Sequence, residues 1–399
     1  MTKYDCDVLF IVEHRSRELE TYKKIAFLLA EEGLVSLIIQ KFYGSYIIPF
    51  ISPRVIISNG YGEKVLSSII AKKLFIGNAT FIIHHWEQLI NANSEKLIFK
   101  NVNDFEQNSC VTLYWNEEFR NVLERKNFNL QNSYFVGNPN LSLLDDMNSN
   151  FSNLKDEMLN KYELKNKKVL FFPANFFWVF FHHRENTVHQ FLHKWFKEQL
   201  SVTKQFIIDV LEKGDYVIIF RPHPYEVEKY YKDAFGMKIF SDKNFIYTDE
   251  YTVKEWTLLS NYVVSNFSTS AYDAFKYGKN ACFLNEGGYL DFYNAEWLFE
   301  VPTISNYKDF EKFTKSENKI VFNDNNDYKK LFFNVLMNMN KQKTYYKVPF
   351  FKRIKAMLNK DVLKNFIRSV LCKYFKCYKI NDTIKPDYFE PIIIQPTNK

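Results

Sequence analysis

The sequence predicts an α/β protein of two doubly wound domains, each a parallel sheet covered by helices on both faces, followed by a basic helical tail. Three observations carry that expectation. Strand-like apolar runs alternate with helix-period segments from residue 7 onward, the pattern of a parallel sheet with crossover helices. A polar stretch rich in Asn, Ser, Asp and Lys at 145–167 interrupts the alternation, which then restarts. The 399 residues also exceed the usual size of one domain. The expected divisions are a first domain over 1–145, a linker over 146–167, a second domain over 168–340 and a tail over 341–399.

In the first half, 7–12 reads as a strand and 17–31 as an amphipathic helix ending near Gly33. Strands follow at 35–39 and 55–57, then a helix from about residue 62 and a strand at 80–83. A strand at 111–114, a helix at 117–126 and a strand at 133–136 complete this half. After the polar stretch, whose middle reads as helical, strands are expected at 168–172, 216–220, 245–247, 262–264 and 281–284. Helices are expected at 202–213, 226–235 and 270–277. Ligands of such sheets lie beyond the carboxyl ends of the strands, and two such domains leave a natural site in the cleft between them.

Composition removes several function classes. Hydrophobic residues make up 46% and charged residues 25%, which excludes a mostly disordered chain. The two common phosphate cradles are missing: Gly60-Tyr61-Gly62 is followed by Val65 where a third glycine is required, and no G-x-x-x-x-G-K-[ST] occurs. Five scattered cysteines, an odd number, fit a reduced cytosolic protein. Asp5 and Asp7 stand where a signal peptide needs a basic and then an apolar run, so a cytoplasmic location is expected.

The net charge of +7 is unevenly spread: residues 341–380 hold twelve Lys or Arg and one acid, Asp361. A near-neutral body with a basic tail is not a nucleic-acid-binding profile. Within the tail, Phe350, Ile354, Met357, Leu358, Val362, Phe366, Val370 and Phe375 recur at three- and four-residue steps with lysines between them. This basic amphipathic pattern points to peripheral attachment at the anionic inner face of the cytoplasmic membrane. Packing of the stripe on the protein's own body is the competing reading, and the two are compatible.

The sharpest chemical signal is Val217-Ile218-Ile219-Phe220-Arg221-Pro222-His223-Pro224. Residues before proline are extended, and in an extended chain positions i and i+2 face one side. Arg221 and His223 are therefore expected to meet one anion together at the end of a buried strand, as a guanidinium and an imidazole suited to a phosphate. A surface turn with incidental polar residues is the alternative. The second signal is Val264-Ser265-Asn266-Phe267-Ser268-Thr269-Ser270, a strand running into hydroxyls that open a helix, followed by Asp273. Free N–H groups and hydroxyls at a helix start make an anion site. A capping box of Ser270 with Asp273 is the plainer reading, though it uses only one of the hydroxyls.

Arg-x-His-Pro, the hydroxyl cluster and Asp273-Ala274-Phe275-Lys276-Tyr277-Gly278-Lys279 together resemble the nucleotide-binding half of GT-B glycosyltransferases, whose two domains are Rossmann-like and face a cleft. More narrowly, they are similar to bacterial surface-carbohydrate enzymes with cytidine-activated donors: Kdo transferases of capsule and lipopolysaccharide, sialyltransferases, and the CDP-glycerol glycerophosphotransferases of teichoic acid synthesis. Phe10-Ile11-Val12-Glu13-His14-Arg15-Ser16-Arg17-Glu18 resembles the opening strand and helix of that group. Val136-Gly137-Asn138-Pro139 resembles the close of the first GT-B domain. The resemblance implies that His223 contacts the donor phosphate and that Arg221 assists or holds the loop. It gives Ser268, Thr269 and Ser270 the remaining phosphate oxygens and Asp273 the ribose hydroxyls. The family often has Glu at the position of Asp273 and Pro at that of Asn280. The implied co-substrate is a nucleotide-activated sugar, with no metal or further cofactor required, and the acceptor is a glycan or a lipid-linked precursor.

The group that removes the acceptor proton is expected from the first domain. Glu13 follows the first strand at its carboxyl end, and His84-His85-Trp86-Glu87 follows another at the same edge, so Glu13, His85 and Glu87 are the catalytic candidates. The plainer readings are a salt bridge from Glu13 to Arg15 or Arg17 and a structural His84. Asp5-Cys6-Asp7 has metal-site spacing but precedes the first strand, and His182-His183-Arg184-Glu185 with His189 lacks further ligands, so no metal site is expected. A glycosyltransferase is the leading expectation. A glycerol- or ribitol-phosphate transferase and a catalytically degenerate membrane-docked scaffold are the alternatives.

Overall fold

The computed structural model describes residues 6–41, 44–62, 66–180, 187–223, 226–289, 295–316, 327–341, 348–360, 362–364, 367 and 389–396. The chain divides into two units, Met1–Pro139 with Asn325–Lys399, and Asn140–Asp324. The first unit holds six parallel strands, β1 (Val8–Val12), β2 (Ser36–Gln40), β3 (Val55–Ser58), β4 (Thr80–His84), β5 (Val111–Tyr114) and β6 (Ser133–Phe135). They lie in the order β2-β1-β3-β4-β5-β6. Every residue of β1 is buried, as a central strand with helices on both faces requires. The chain reverses direction across the sheet at β1, so the carboxyl ends of β1 and β3 border the switch point where ligands of such sheets bind.

The second unit holds β7 (Lys168–Pro173), β8 (Tyr216–Arg221), β9 (Phe245–Tyr247), β10 (Tyr262–Ser265), β11 (Asn280–Leu284) and β12 (Thr303–Ile304). These are parallel, in the order β12-β11-β10-β7-β8-β9, with the switch point between β7 and β10. Phe171, Phe172 and Phe176 are fully buried, and Phe172 stacks on Phe220 with ring centroids 5.4 Å apart. Each such side chain contributes roughly 1.5–3 kcal/mol of burial. The long helix Thr187–Lys213 closes this core with Phe206, Ile207 and Val210.

The domain limits differ from those expected. The polar stretch at 146–167 is helical in its middle, as expected, with parts of the helices Pro139–Asn148 and Phe151–Lys161, but the second of these buries Phe151 and Met158 and the stretch belongs to the second unit. Polar composition here marks helices exposed on most of their surface. The C-terminal segment, expected as a separate tail, belongs to the first unit from Asn325 onward. Helix Tyr328–Asn340, expected at the end of the second domain, packs on helix Glu20–Glu31 of the first unit and buries Tyr328, Phe332 and Leu336. Strand β13 (Ile392–Ile394) then adds antiparallel to β2. The apolar faces of these returning segments find their partners on the first sheet. Among the described residues, no helix is long and apolar enough to cross a membrane.

Candidate functional site

In the second unit the loop after β7 is stitched to both neighbouring strands. On the β8 side, Ala174 N–H donates to the Arg221 carbonyl at 2.9 Å. On the β10 side, Ser265 Oγ donates to the Pro173 carbonyl at 2.7 Å, Asn266 Nδ2 to the Asn175 carbonyl at 3.1 Å and Asn175 Nδ2 to the Phe267 carbonyl at 3.3 Å. Strands β8 and β10 flank β7, so their ends are about 10 Å apart. The Arg221–His223 turn and the Ser268–Ser270 helix start thus border one point, with Asn175 between them.

Arg221 is the last residue of β8, and both it and His223 are half-buried. Arg221 Nε donates to the Tyr251 carbonyl at 3.1 Å, and burial lowers the pKa of the guanidinium. Tyr251 has φ of 58°, a left-handed conformation that costs a non-glycine residue about 1–2 kcal/mol. The Arg221 bond helps hold that loop, the second of the two roles the resemblance implied.

The His223 peptide is pinned by Glu226, a residue the sequence reading passed over. His223 N–H donates to Glu226 Oε2 at 2.8 Å, and Glu226 N–H returns a bond to the His223 carbonyl at 2.8 Å. The same carboxyl accepts from Phe176 N–H at 2.6 Å and from the Tyr231 hydroxyl at 2.6 Å. The only signal was an acid three residues beyond His223, ahead of an amphipathic helix. Burial pushes Glu226 up to about 7, against the three hydrogen bonds. A raised carboxyl pKa adds stability that is complete below the ordinary carboxylate range and is lost as pH rises through about 7. The stability of wild type relative to Glu226→Gln is therefore expected to fall, by up to about 3 kcal/mol, between pH about 5 and about 8. Urea denaturation at several pH values measures it, and a pH-independent difference would remove Glu226 from this role.

Ser268 caps the helix Thr269–Lys276, its Oγ accepting from Ser270 N–H at 3.2 Å. The expected capping box of Ser270 with Asp273 is therefore not the cap. Ser268 is still extended, with φ −137° and ψ 132°, so the helix begins one residue before Ser270. Thr269 is exposed at the helix start, and Ser270 and Asp273 are half-buried in its first turns. The Gly-Lys that ends the motif is structural: Gly278 has φ of 82°, and Lys279 Nζ donates to the Leu258 carbonyl at 2.7 Å.

In the first unit, a π turn over Arg15–Leu19 separates β1 from helix Glu20–Glu31. Such turns recur at functional sites. This one places Glu18 wholly inside, where Oε2 accepts from Glu13 N–H at 2.7 Å and Oε1 from Asn59 Nδ2 at 2.9 Å. Glu13 Oε2 shares the same Asn59 amide at 3.1 Å, and its Oε1 accepts from buried Lys41 Nζ at 2.7 Å. Arg17 pairs with Glu18 at 3.4 Å and also bonds Glu87. The plainer reading of Glu13 is thus corrected in its partner: Lys41 at the end of β2 takes Glu13, and Arg17 takes the other two acids.

Glu13 and Glu87 are joined through Asn59, Glu18 and Arg17, and His85 adjoins Glu87. Burial raises the Glu18 pKa. Arg17 holds exposed Glu87 below the usual carboxylate range. Burial lowers His85 to about 4, so its imidazole is neutral at ordinary pH. The ring stacks on Phe119 at 5.9 Å, and neither ring nitrogen has a hydrogen-bond partner among the described residues. His84 is structural, as the plainer reading had it: it is fully buried, with Nδ1 3.2 Å from the Tyr22 hydroxyl and its ring stacked on Tyr328 at 5.7 Å. Lys41 and Asn59 were not legible as site residues, because each follows a strand of unremarkable sequence, and Glu18, though inside the Phe10–Glu18 segment, is marked out only by Asn59, 41 residues away.

The discounted motifs serve structure where they are described. Gly62 N–H donates to buried Glu106 Oε1 at 2.8 Å, and a Cβ at Gly62 would meet the Asn101 carbonyl oxygen at 3.0 Å. Asp7 accepts from Val35 N–H at 2.8 Å and pairs with Arg54. Asp5, the stretch 182–185 and the side chain of His189 lie outside the described residues.

Neither a protein-family model nor a curated protein matches the chain in sequence. Solved structures match in fold. The UDP-GlcNAc 2-epimerase of Methanocaldococcus jannaschii, in complex with UDP-GlcNAc and UDP, superposes with a TM-score of 0.56 at 13% identity, covering 83% of this chain and 99% of that chain. The UDP-GlcNAc 2-epimerase of Neisseria meningitidis bound to UDP-GlcNAc gives 0.54 at 12% identity, over 84% and 100%. The wall teichoic acid polymerase TagF gives 0.48 at 12% identity, over 91% and 90%, a likeness too loose to carry an argument. These matches show the fold: an α/β chain of two Rossmann-like, parallel-sheet units of the GT-B type.

Proposed function

We propose that this chain is a transferase of bacterial surface-carbohydrate assembly that moves a sugar from a nucleotide-activated, cytidine-linked donor to a surface glycan or lipid-linked acceptor. The observation that supports this reading most is the cradle at the switch point of the second sheet. There the Arg221–His223 turn, the Ser268–Ser270 helix start and the Asn175 loop border a single point. A diphosphate or phosphodiester suits that set: a guanidinium, an imidazole, hydroxyls and a helix N-terminus all favour an anion. In this reading His223 binds the donor phosphate, Ser268, Thr269 and Ser270 bind the other oxygens, and Asp273 binds the ribose hydroxyls. Arg221 keeps the neighbouring loop in place. Positive charge supplied by the protein makes a divalent ion dispensable for nucleotide binding.

Glu13 is assigned the acceptor proton. It is the candidate acid that is partly accessible, at 28% side-chain exposure, and not claimed by Arg17. Lys41 and Asn59 orient its two oxygens. Glu87 positions Arg17, and neutral His85 packs behind them on Phe119 with both ring nitrogens closed to solvent, so it is given no contact with the acceptor.

Thermal shift with CMP, CDP, UDP, GDP and ADP tests the donor assignment, because only a ligand bound by the folded state raises the melting temperature. The cytidine nucleotides are expected to give the largest shift, unchanged by EDTA. No shift with any nucleotide would overturn the reading. A larger shift with UDP would keep the cradle and discard the cytidine donor.

A further inference from the structure

Helix Phe350–Met357 turns its large apolar residues outward. Phe350 is 70% exposed, Phe351 83% and Leu358 77%. Its inward contacts are made by Ala356, with buried Val348 and Val362 on either side of the helix, all packed on the core of the first unit. Arg353 Nε donates to the Val348 carbonyl at 2.7 Å and fixes the helix start. Phe351 and Leu358 are seven residues apart, so they lie on one line of the helix, away from Ala356. Leu363 and Ile367 extend the apolar exposure, and Lys352, Lys355, Lys360 and Lys364 are exposed among them. The stripe read from the sequence is thus split. Among the described residues, Val348, Ala356 and Val362 hold the segment to the body and Phe350, Phe351 and Leu358 face solvent, while Phe366, Val370 and Phe375 lie outside the described residues.

We infer that this surface seats the first unit on an anionic lipid leaflet, with Phe350, Phe351 and Leu358 inserted among the acyl chains and the lysines at the lipid phosphates. So many exposed large apolar side chains in one segment mark an interaction site. Charge selects the occupant. Lys352, Arg353, Lys355, Lys360 and Lys364 face one acid, Asp361, across 348–367. Two copies of this chain meeting here would set cation against cation, whereas an anionic leaflet complements both the charge and the apolar residues. The inference stands apart from the transferase reading and does not depend on it.

Co-sedimentation of the full chain with vesicles tests it, using phosphatidylcholine alone or mixed with phosphatidylglycerol, at low and high salt. Wild type is expected to bind the anionic vesicles at least about tenfold more strongly than the neutral ones, with release by salt. The double variant Phe351→Ser/Leu358→Ser should weaken that partition at least about tenfold. Its circular dichroism melting curve should stay unchanged, because both side chains are in solvent. Lys352→Glu/Lys355→Glu should abolish the preference for phosphatidylglycerol. Equal partition of wild type and Phe351→Ser/Leu358→Ser would overturn the inference, as would equal binding to both vesicle types. A concentration-dependent dimer dissolved by the same double variant would assign the surface to a second copy instead.

Discussion

His223→Ala is expected to weaken CDP binding by about 10- to 100-fold, the worth of a charge-assisted hydrogen bond to phosphate, while lowering the melting temperature less than Arg221→Ala does. The two effects separate because of how the turn is built. Its geometry comes from the His223 backbone N–H and carbonyl, both bonded to Glu226, and from Ala174 N–H on the Arg221 carbonyl. None of these bonds uses the imidazole. Arg221→Ala is the contrasting case, since it also releases the carbonyl of strained Tyr251. That variant should lower both affinity and melting temperature. Isothermal titration with CDP alongside a thermal melt reads both quantities. Wild-type affinity in His223→Ala would remove the residue from the phosphate site.

Glu18→Ala is expected to destabilise the first unit by about 3 kcal/mol or more. The substitution leaves the Glu13 N–H and the Asn59 amide each short of an acceptor and takes one carboxylate from Arg17, in a place closed to water. Glu13→Gln should behave differently. Its side chain is partly accessible, and the amide oxygen can still accept from Lys41, so stability should fall by less than in Glu18→Ala. If Glu13 takes the acceptor proton, the same variant should lose about 100-fold or more in turnover, read as CMP released from a CMP-sugar donor with membrane extract as acceptor. Full turnover by Glu13→Gln would return the residue to a purely structural pairing with Lys41.

The succession of strands and helices, and the place of Arg221 after a buried apolar run, were legible because each depends on local pattern. Strands β5 and β9 lie at the limits the apolar runs gave, and Arg221 does end a buried strand. Partners supplied from far along the chain were not legible. Nothing near Glu13 points to Lys41, 28 residues away, and nothing near His84 points to Tyr328. Glu226 lay in plain view but is defined by Phe176, which is 50 residues earlier. The domain boundary was misplaced for a related reason: the helix in the polar stretch was legible, but its buried anchors Phe151 and Met158 are too few to show that it belongs to the second unit.

The first unit is assembled from both ends of the chain, and that orders its birth on the ribosome. Its second stretch begins at Asn325, after the whole of Asn140–Asp324 has been made. The contact between His84 and Tyr328 spans 244 residues, which for a flexible loop would cost roughly 5 kcal/mol of closure entropy. Folding the intervening unit first removes that flexible loop before the contact must form. The uninterrupted second unit can therefore mature during synthesis. Until residues 328–340 emerge, the nascent first unit exposes the apolar face of helix Glu20–Glu31 and the pocket around His84, surfaces that a chaperone would recognise.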